Sequence, residues 1–207
     1  MKFRSTLLRV IGAAALAATL ASCGGGNGLV AFVPARILAF GDQSSVITVD
    51  GNKYTINALN TDGTVDCVSN PIWTQVFASS YGMVFPECPG TSTGTPPTSR
   101  ILAQAGAKTA GTDEVDLAQQ ITRQLEMSVV DGGGISSGDL ATVFIGVNDV
   151  VAAYQSYEAG ASASDVQTQV KAAGVALAAQ IARMVAAGGK VMVSTVPDVG
   201  LSPYGRS

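Results

Sequence analysis

Three short polar turns hold most of the residues in this chain that could do chemistry. They are Phe40-Gly41-Asp42-Gln43-Ser44-Ser45, Ala105-Gly106-Ala107 and Gly146-Val147-Asn148-Asp149. Between them they offer serine hydroxyls, carboxylates, an amide and glycine backbone N–H groups. What is missing narrows the chemistry further. The 207 residues include no histidine, so no Ser-His-Asp triad, His-ligated zinc or histidine general base can be assembled from them. A serine hydroxyl without a base is a weak nucleophile at neutral pH. The three cysteines, Cys23, Cys67 and Cys88, form no CxxC pair, so no metal site is expected. Neither G-x-G-x-x-G after a strand nor G-x4-G-K-[ST] occurs, and no nucleotide or other cofactor is expected. Lys+Arg number 12 against 15 Asp+Glu, which gives no overall basic surface for nucleic acid.

Each of these turns must be held by an element before it. Ile37-Leu38-Ala39-Phe40, Ile101 to Gly106 and Ala141 to Gly146 are short apolar runs of the kind that form buried parallel strands. Lys190 to Val196 is a fourth. Between the third and fourth runs, Val166, Val170, Ala173, Leu177, Ile181 and Met184 recur at helical spacing, and Gly188-Gly189 ends that helix. Pro71 opens a helix through Trp73, Val76 and Phe77. Thr112 is the expected cap of another, with Asp113, Glu114 and Asp116 in its first turn. Val46–Val49 and Lys53–Ile56 around Asp50-Gly51-Asn52 predict a hairpin inserted after the first strand. Gly90–Ser99 and Asp131–Gly138 read as surface loops. Strands separated by helices predict an α/β domain with a parallel sheet covered on both faces, and ligands bind such sheets beyond the carboxyl ends of the strands. A hydrophobic share of 47% suffices for one core, and the length allows one domain with a short tail.

The three turns, in this order and spacing, resemble blocks I, II and III of the SGNH (GDSL-type) ester hydrolases, and Val196-Pro197-Asp198-Val199-Gly200 resembles the segment after that family's fourth strand. The Gly-x-Asn-Asp turn is the most specific piece. The resemblance covers roughly Arg36 to the C-terminus. It implies a three-layer α/β/α domain over 36–207 with a mostly parallel, flavodoxin-like sheet, acting on acyl esters of lipids or acetylated sugars. It also implies that Gly106 supplies a backbone N–H, and Asn148 a side-chain amide, to a tetrahedral oxyanion. Each such donor is typically worth about 2.7–4 kcal/mol in the transition state. Asn148 is otherwise a turn-forming or helix-capping residue ahead of Val150.

Two features depart from the family pattern. Gln43 stands where the family's nucleophile directly follows Gly-Asp, and Ser44, the candidate nucleophile, comes one residue later. One residue turns a side chain by about 100° on a helix, so Ser44 is either a displaced nucleophile or a hydroxyl capping the next element. The family continues past its fourth strand into a further helix, often a fifth strand, and a loop bearing Asp-x-x-His. The sequence stops at Ser207 before them, so the last strand-and-helix layer is expected to be missing. Two function classes follow: an ester hydrolase with an incomplete catalytic set, or a lipoprotein that binds a ligand or partner without catalysis.

Residues 1–22 read as an export signal, with Lys2, Arg4 and Arg9 ahead of a short apolar run. That run falls short of the roughly 20 apolar residues a membrane span needs. Leu20-Ala21-Ser22-Cys23 resembles the bacterial lipoprotein box, which implies lipid attachment at Cys23 and anchoring in the cell envelope. Gly24 after the cysteine resembles lipoproteins sorted to the outer membrane. Cleavage before Cys23 removes three basic residues and takes the net charge from −3 to −6. Residues 23–35, rich in glycine, then form a flexible tether. In an exported protein Cys67 and Cys88 are expected to be bridged, the alternative being a pair of small buried thiols.

Overall fold

The computed structural model describes residues 31–90 and 98–206. The signal at 1–22, Cys23, the tether as far as residue 30, and residues 91–97 of the expected loop lie outside the described residues.

The apolar run ahead of the first turn forms β1 (Arg36–Gly41), buried at every residue after Arg36. A 3₁₀ turn, Gln43–Ser45, follows at once, capped by the Asp42 carboxylate on the Ser44 N–H. The chain then makes an excursion containing β2 (Ala58–Leu59), β3 (Val65–Asp66) and α1 (Trp73–Ser79). It returns as β4 (Arg100–Ile101), α2 (Leu117–Glu126), β5 (Asp139–Phe144), α3 (Val147–Glu158), α4 (Ala163–Ala186) and β6 (Lys190–Val193). The main sheet has the order β4-β1-β5-β6 and every pair is parallel. Counting only its own strands, that is second-first-third-fourth, the flavodoxin-type order. The expected α/β fold with a mostly parallel sheet is the fold observed.

Side chains alternate across the sheet as the pleat requires. Leu38 and Phe40 of β1 and Ala141 and Val143 of β5 pack against Leu117 and Ile121 of α2 and Met184 of α4. On the opposite face Phe144 meets Trp73 of α1 edge to face, with ring centroids 6.0 Å apart. Helices thus lie on both sides. The helical stripe read from Val166 to Met184 falls within α4, with Ala173 and Met184 buried and Val170 exposed. Gly188 and Gly189 end α4 by donating to Val185 and Met184, the paired bonds of a Schellman motif.

Several local expectations are corrected. The hairpin over 46–56 reduces to one antiparallel bridge, Ile47 to Lys53. Lys53 is buried, and its ammonium donates to the carbonyls of Cys67, Ser69 and Asn70 at 3.0, 2.7 and 3.0 Å. These bonds draw the segment toward the Cys67 turn and away from regular pairing. Helix α2 starts at Leu117, with Asp116 in the cap position, four residues after the start expected from a Thr112 cap. The buried Asp116 carboxylate accepts from the N–H groups of Lys108 and Asp113 and so folds 108–116 into a compact loop. The second strand is confined to Arg100–Ile101, because Leu102 and Ala103 both donate to Ala39 and Gln104 donates to Gly41, outside the regular ladder. Helix α3 lies ahead of the stripe that predicts α4, and Gly160 and Ala161 divide the two.

Cys67 and Cys88 are bridged, with Cα atoms 5.7 Å apart. The bridge spans 21 positions, and restricting such a loop in the unfolded chain contributes about 3 kcal/mol. It closes the excursion that places Trp73 over Phe144.

Candidate functional site

The carboxyl ends of β1 and β5 lie side by side at the switch point of the sheet, where open α/β folds bind ligands. Gly41 is the last residue of β1, and Gln120 fixes its peptide on both sides. The Gln120 Oε1 accepts the Gly41 N–H at 3.0 Å, and its Nε2 donates to the Gly41 carbonyl at 2.8 Å. The next N–H, that of Asp42, donates to the Phe144 carbonyl at 3.1 Å. From this fixed point the 3₁₀ turn sends Gln43 into the crevice.

There the Gln43 side chain meets both residues expected to bind an oxyanion. Its Oε1 accepts the Gly106 N–H at 3.2 Å and the Asn148 Nδ2 at 3.0 Å, while its Nε2 donates to Asn148 Oδ1 at 3.3 Å. The orientation of each amide is set by a backbone group that can bond in only one sense. The Gly106 N–H requires an oxygen, and the Ala107 carbonyl, 2.8 Å from Asn148 Nδ2, requires a donor. Asn148 is therefore not a cap. Gly146 takes the N-cap position of α3, and Asn148, on the first turn, reaches across to Gln43 and Ala107. The positive end of the helix dipole lies on the same side.

Asp149 locks the two donors into register. Its carboxylate accepts from the Thr109 N–H and hydroxyl, both at 2.9 Å, which ties the loop after Gly106 to the start of α3. Gly106 itself has φ +80°, and a Cβ there would meet nothing within 4 Å. The left-handed backbone aims its N–H at Gln43 while its Cα faces open space, so a carbonyl-bearing group can approach.

The serines are placed elsewhere. Ser44 donates its N–H to the Asp42 Oδ1 at 2.9 Å, beside the same carboxylate whose other oxygen is buried without a partner among the described residues. Ser45 is buried and accepts from the Trp73 indole at 3.2 Å. No described hydrogen bond joins Ser44 to Gly106 or Asn148. Burial pushes the Asp42 carboxyl above its ordinary range; the Ser44 groups pull it back, and nearby Asp149 pushes it further up.

Beside the crevice an open groove of about 590 Å³ is lined by Val147, Val151, Pro197, Val199, Leu201 and Tyr204, among others. Val147 and Val151 are four apart on α3 and share one face. A larger cavity of about 780 Å³ lies at the amino ends of β1, β4 and β5, around Arg36, Arg100 and Asp139, at the opposite end of the sheet from Gln43.

The arrangement brings Gly106 and Asn148 onto one carbonyl oxygen, the geometry of an oxyanion-type site. It also assigns roles to residues that sequence reasoning passed over. In the sequence Gln43 reads only as a departure from the family pattern and Ala107 only as part of a turn, and nothing there singles out Gln120. Nothing in the sequence signals these contacts, since Gln43 lies 105 positions from Asn148 and Gln120 lies 79 from Gly41. A family model described as GDSL-like Lipase/Acylhydrolase matches residues 37–206. No curated protein matches the chain.

Proposed function

Because the chain belongs to the GDSL-like lipase/acylhydrolase family, we propose that it is an acyl-ester hydrolase of the bacterial cell envelope whose 207 residues supply carbonyl recognition without an activated nucleophile. The observation that carries this reading is the convergence of the Gly106 N–H and the Asn148 amide on a single carbonyl oxygen. The substrate class is an acyl ester of lipid or acetylated sugar, and the apolar groove beside α3 suits its hydrocarbon part. Gly106 and Asn148 polarise the ester carbonyl and hold charge that develops on its oxygen. Ser44 is the candidate nucleophile, and its backbone N–H is held by Asp42.

Oxyanion donors alone leave a residual acceleration of about 10³–10⁴ over water when the triad is removed from well-studied hydrolases. The full chain is therefore expected to hydrolyse p-nitrophenyl butyrate only in trace, with a further large loss in Asn148→Ala, and to resist fluorophosphonate. Stoichiometric labelling at Ser44 that disappears in Ser44→Ala would overturn the low-activity reading. A second reading, ligand binding without catalysis, is favoured by Gln43, which places an amide where the family has its nucleophile.

The envelope location rests on the Leu20-Ala21-Ser22-Cys23 box. A diacylglyceryl thioether at Cys23, with further acylation of the new amine, would hold the protein on the membrane, each buried CH₂ contributing about 0.8 kcal/mol. Radiolabelled palmitate is expected to enter the wild type and not Cys23→Ser; equal labelling of the two would exclude this attachment.

A further inference from the structure

The carbonyl oxygen that Gly106 and Asn148 hold is the protein's own. We infer that Gln43 is an intramolecular occupant of the acyl site, a latch whose amide carbonyl stands in for the ligand's and must swing out before an acyl carbonyl or carboxylate can bind. The inference rests on the acyl-site reading above and adds to it a competitor built into the chain.

The chemistry of the match is specific. A hydrogen-bond receptor made of one backbone N–H and one amide N–H selects an sp² oxygen, and Gln43 Oε1 is such an oxygen, at 3.2 and 3.0 Å. The third bond, from Gln43 Nε2 to Asn148 Oδ1, is longer at 3.3 Å and is one that an ester or carboxylate could not copy. Gln43 is only half-buried and Gly106 is exposed, so the side chain can rotate outward. Its backbone stays fixed meanwhile, because Gln120 clamps Gly41 and the 3₁₀ turn is pinned by Asp42. Opening therefore costs a few side-chain hydrogen bonds, each of small net worth in water, and leaves the fold unchanged. A site closed by that amount binds its ligand more weakly in proportion to the fraction of time it is open.

The test uses the full chain and butyrate, with 1-butanol as the probe lacking a carbonyl. The ¹H–¹⁵N signal of Gly106 and the Gln43 side-chain amide signals are followed by NMR. In the wild type, butyrate is expected to move the Gly106 N–H and the Gln43 amide signals together, and butanol neither. Gln43→Ala is expected to bind butyrate roughly tenfold or more tightly, and Asn148→Ala in that background to abolish the gain. Equal affinity in wild type and Gln43→Ala, or a Gly106 signal in Gln43→Ala that butyrate does not move, would overturn the latch. If Gln43→Ala fails to fold, the wild-type titration decides alone: a Gly106 signal that responds while the Gln43 amide does not would also overturn it. None of these readouts depends on turnover. A latch confirmed in a chain that hydrolyses nothing would refute the hydrolase and keep the acyl site, while turnover with no change at Gln43 would do the reverse.

Discussion

Gly41→Ala is expected to cost more than about 4 kcal/mol, enough to leave little folded protein, while the same substitution at Gly106 costs about 1–2 kcal/mol. Both glycines have positive φ, +141° at Gly41 and +80° at Gly106. Their surroundings decide the difference. A Cβ on Gly41 would overlap the carbonyl oxygen of Phe144, its partner in the β1–β5 ladder. That oxygen already accepts the Asp42 N–H, and the Gly41 peptide is held on both sides by the buried Gln120. Strand β5 cannot retreat, because β6 is paired along its other edge. Backbone strain and a clash with fixed backbone combine, and losses above 4–5 kcal/mol arise from mechanisms of this kind. At Gly106 only the left-handed backbone penalty remains, about 1–2 kcal/mol. Urea denaturation of the two variants would measure the contrast. A Gly41→Ala protein within about 2 kcal/mol of wild type would show that β1 and β5 can separate at their carboxyl ends, and the rigid placement of Gln43 would no longer follow.

The contrast also marks what the sequence could reveal about the site. Strands β1 and β5 were legible because both are unbroken apolar runs ending in glycine and a polar turn, and α4 because its apolar residues keep helical spacing. Gly106 and Asn148 were singled out by the resemblance of their turns to the family's second and third blocks. Their partner was not. A glutamine after Gly41-Asp42 has no local signature that distinguishes a solvent-facing side chain from one crossing to Asn148. Lys53 misled for a related reason. In the alternation of Val46 to Ile56 a lysine reads as an outward residue of a hairpin, yet this one is buried against three carbonyls near the Cys67–Cys88 bridge. In both cases a polar side chain is satisfied by groups distant in sequence. Periodicity reports which side chains leave water, and it does not report which backbone groups they meet.

The amino ends of the same strands are held by a different device. Replacing Asp139 by alanine is expected to cost about 3–5 kcal/mol at neutral pH, by breaking a buried ion pair from one side. Arg36 opens β1 and Asp139 opens β5, and they face each other in register. The guanidinium meets the carboxylate through two bonds, 2.7 Å from Nε and 3.0 Å from a terminal nitrogen, with side-chain exposures of 15% and 3%. Arg36 also donates to the carbonyls of Gly132 and Gly134, and the Ser136 N–H donates to Asp139 at 2.6 Å. The pair therefore fastens β1, β5 and the 132–136 loop at the end of the sheet opposite Gln43. Adding Arg36→Met to Asp139→Ala should recover much of the loss, because it removes the orphaned charge. The pH dependence gives an independent check. Burial works against ionisation of Asp139, but the Arg36 guanidinium and the Ser136 N–H outweigh it and hold the carboxyl below its ordinary range. The unfolded chain, whose carboxyl titrates near about 3.9, then binds more protons between the two values. The stabilisation is complete above the unfolded value and disappears as pH falls through the folded one. Buried Asp42 is shifted the opposite way, so its contribution is present in acid and declines as pH rises through its folded value. Because Asp42 is common to wild type and Asp139→Ala, its effect cancels in their difference. That difference, from urea unfolding at a series of pH values, should be largest at neutral pH and shrink below about pH 4. A gap under about 1 kcal/mol at neutral pH, or one that widens in acid, would show that the Arg36–Asp139 pair does not hold the amino ends of β1 and β5 together.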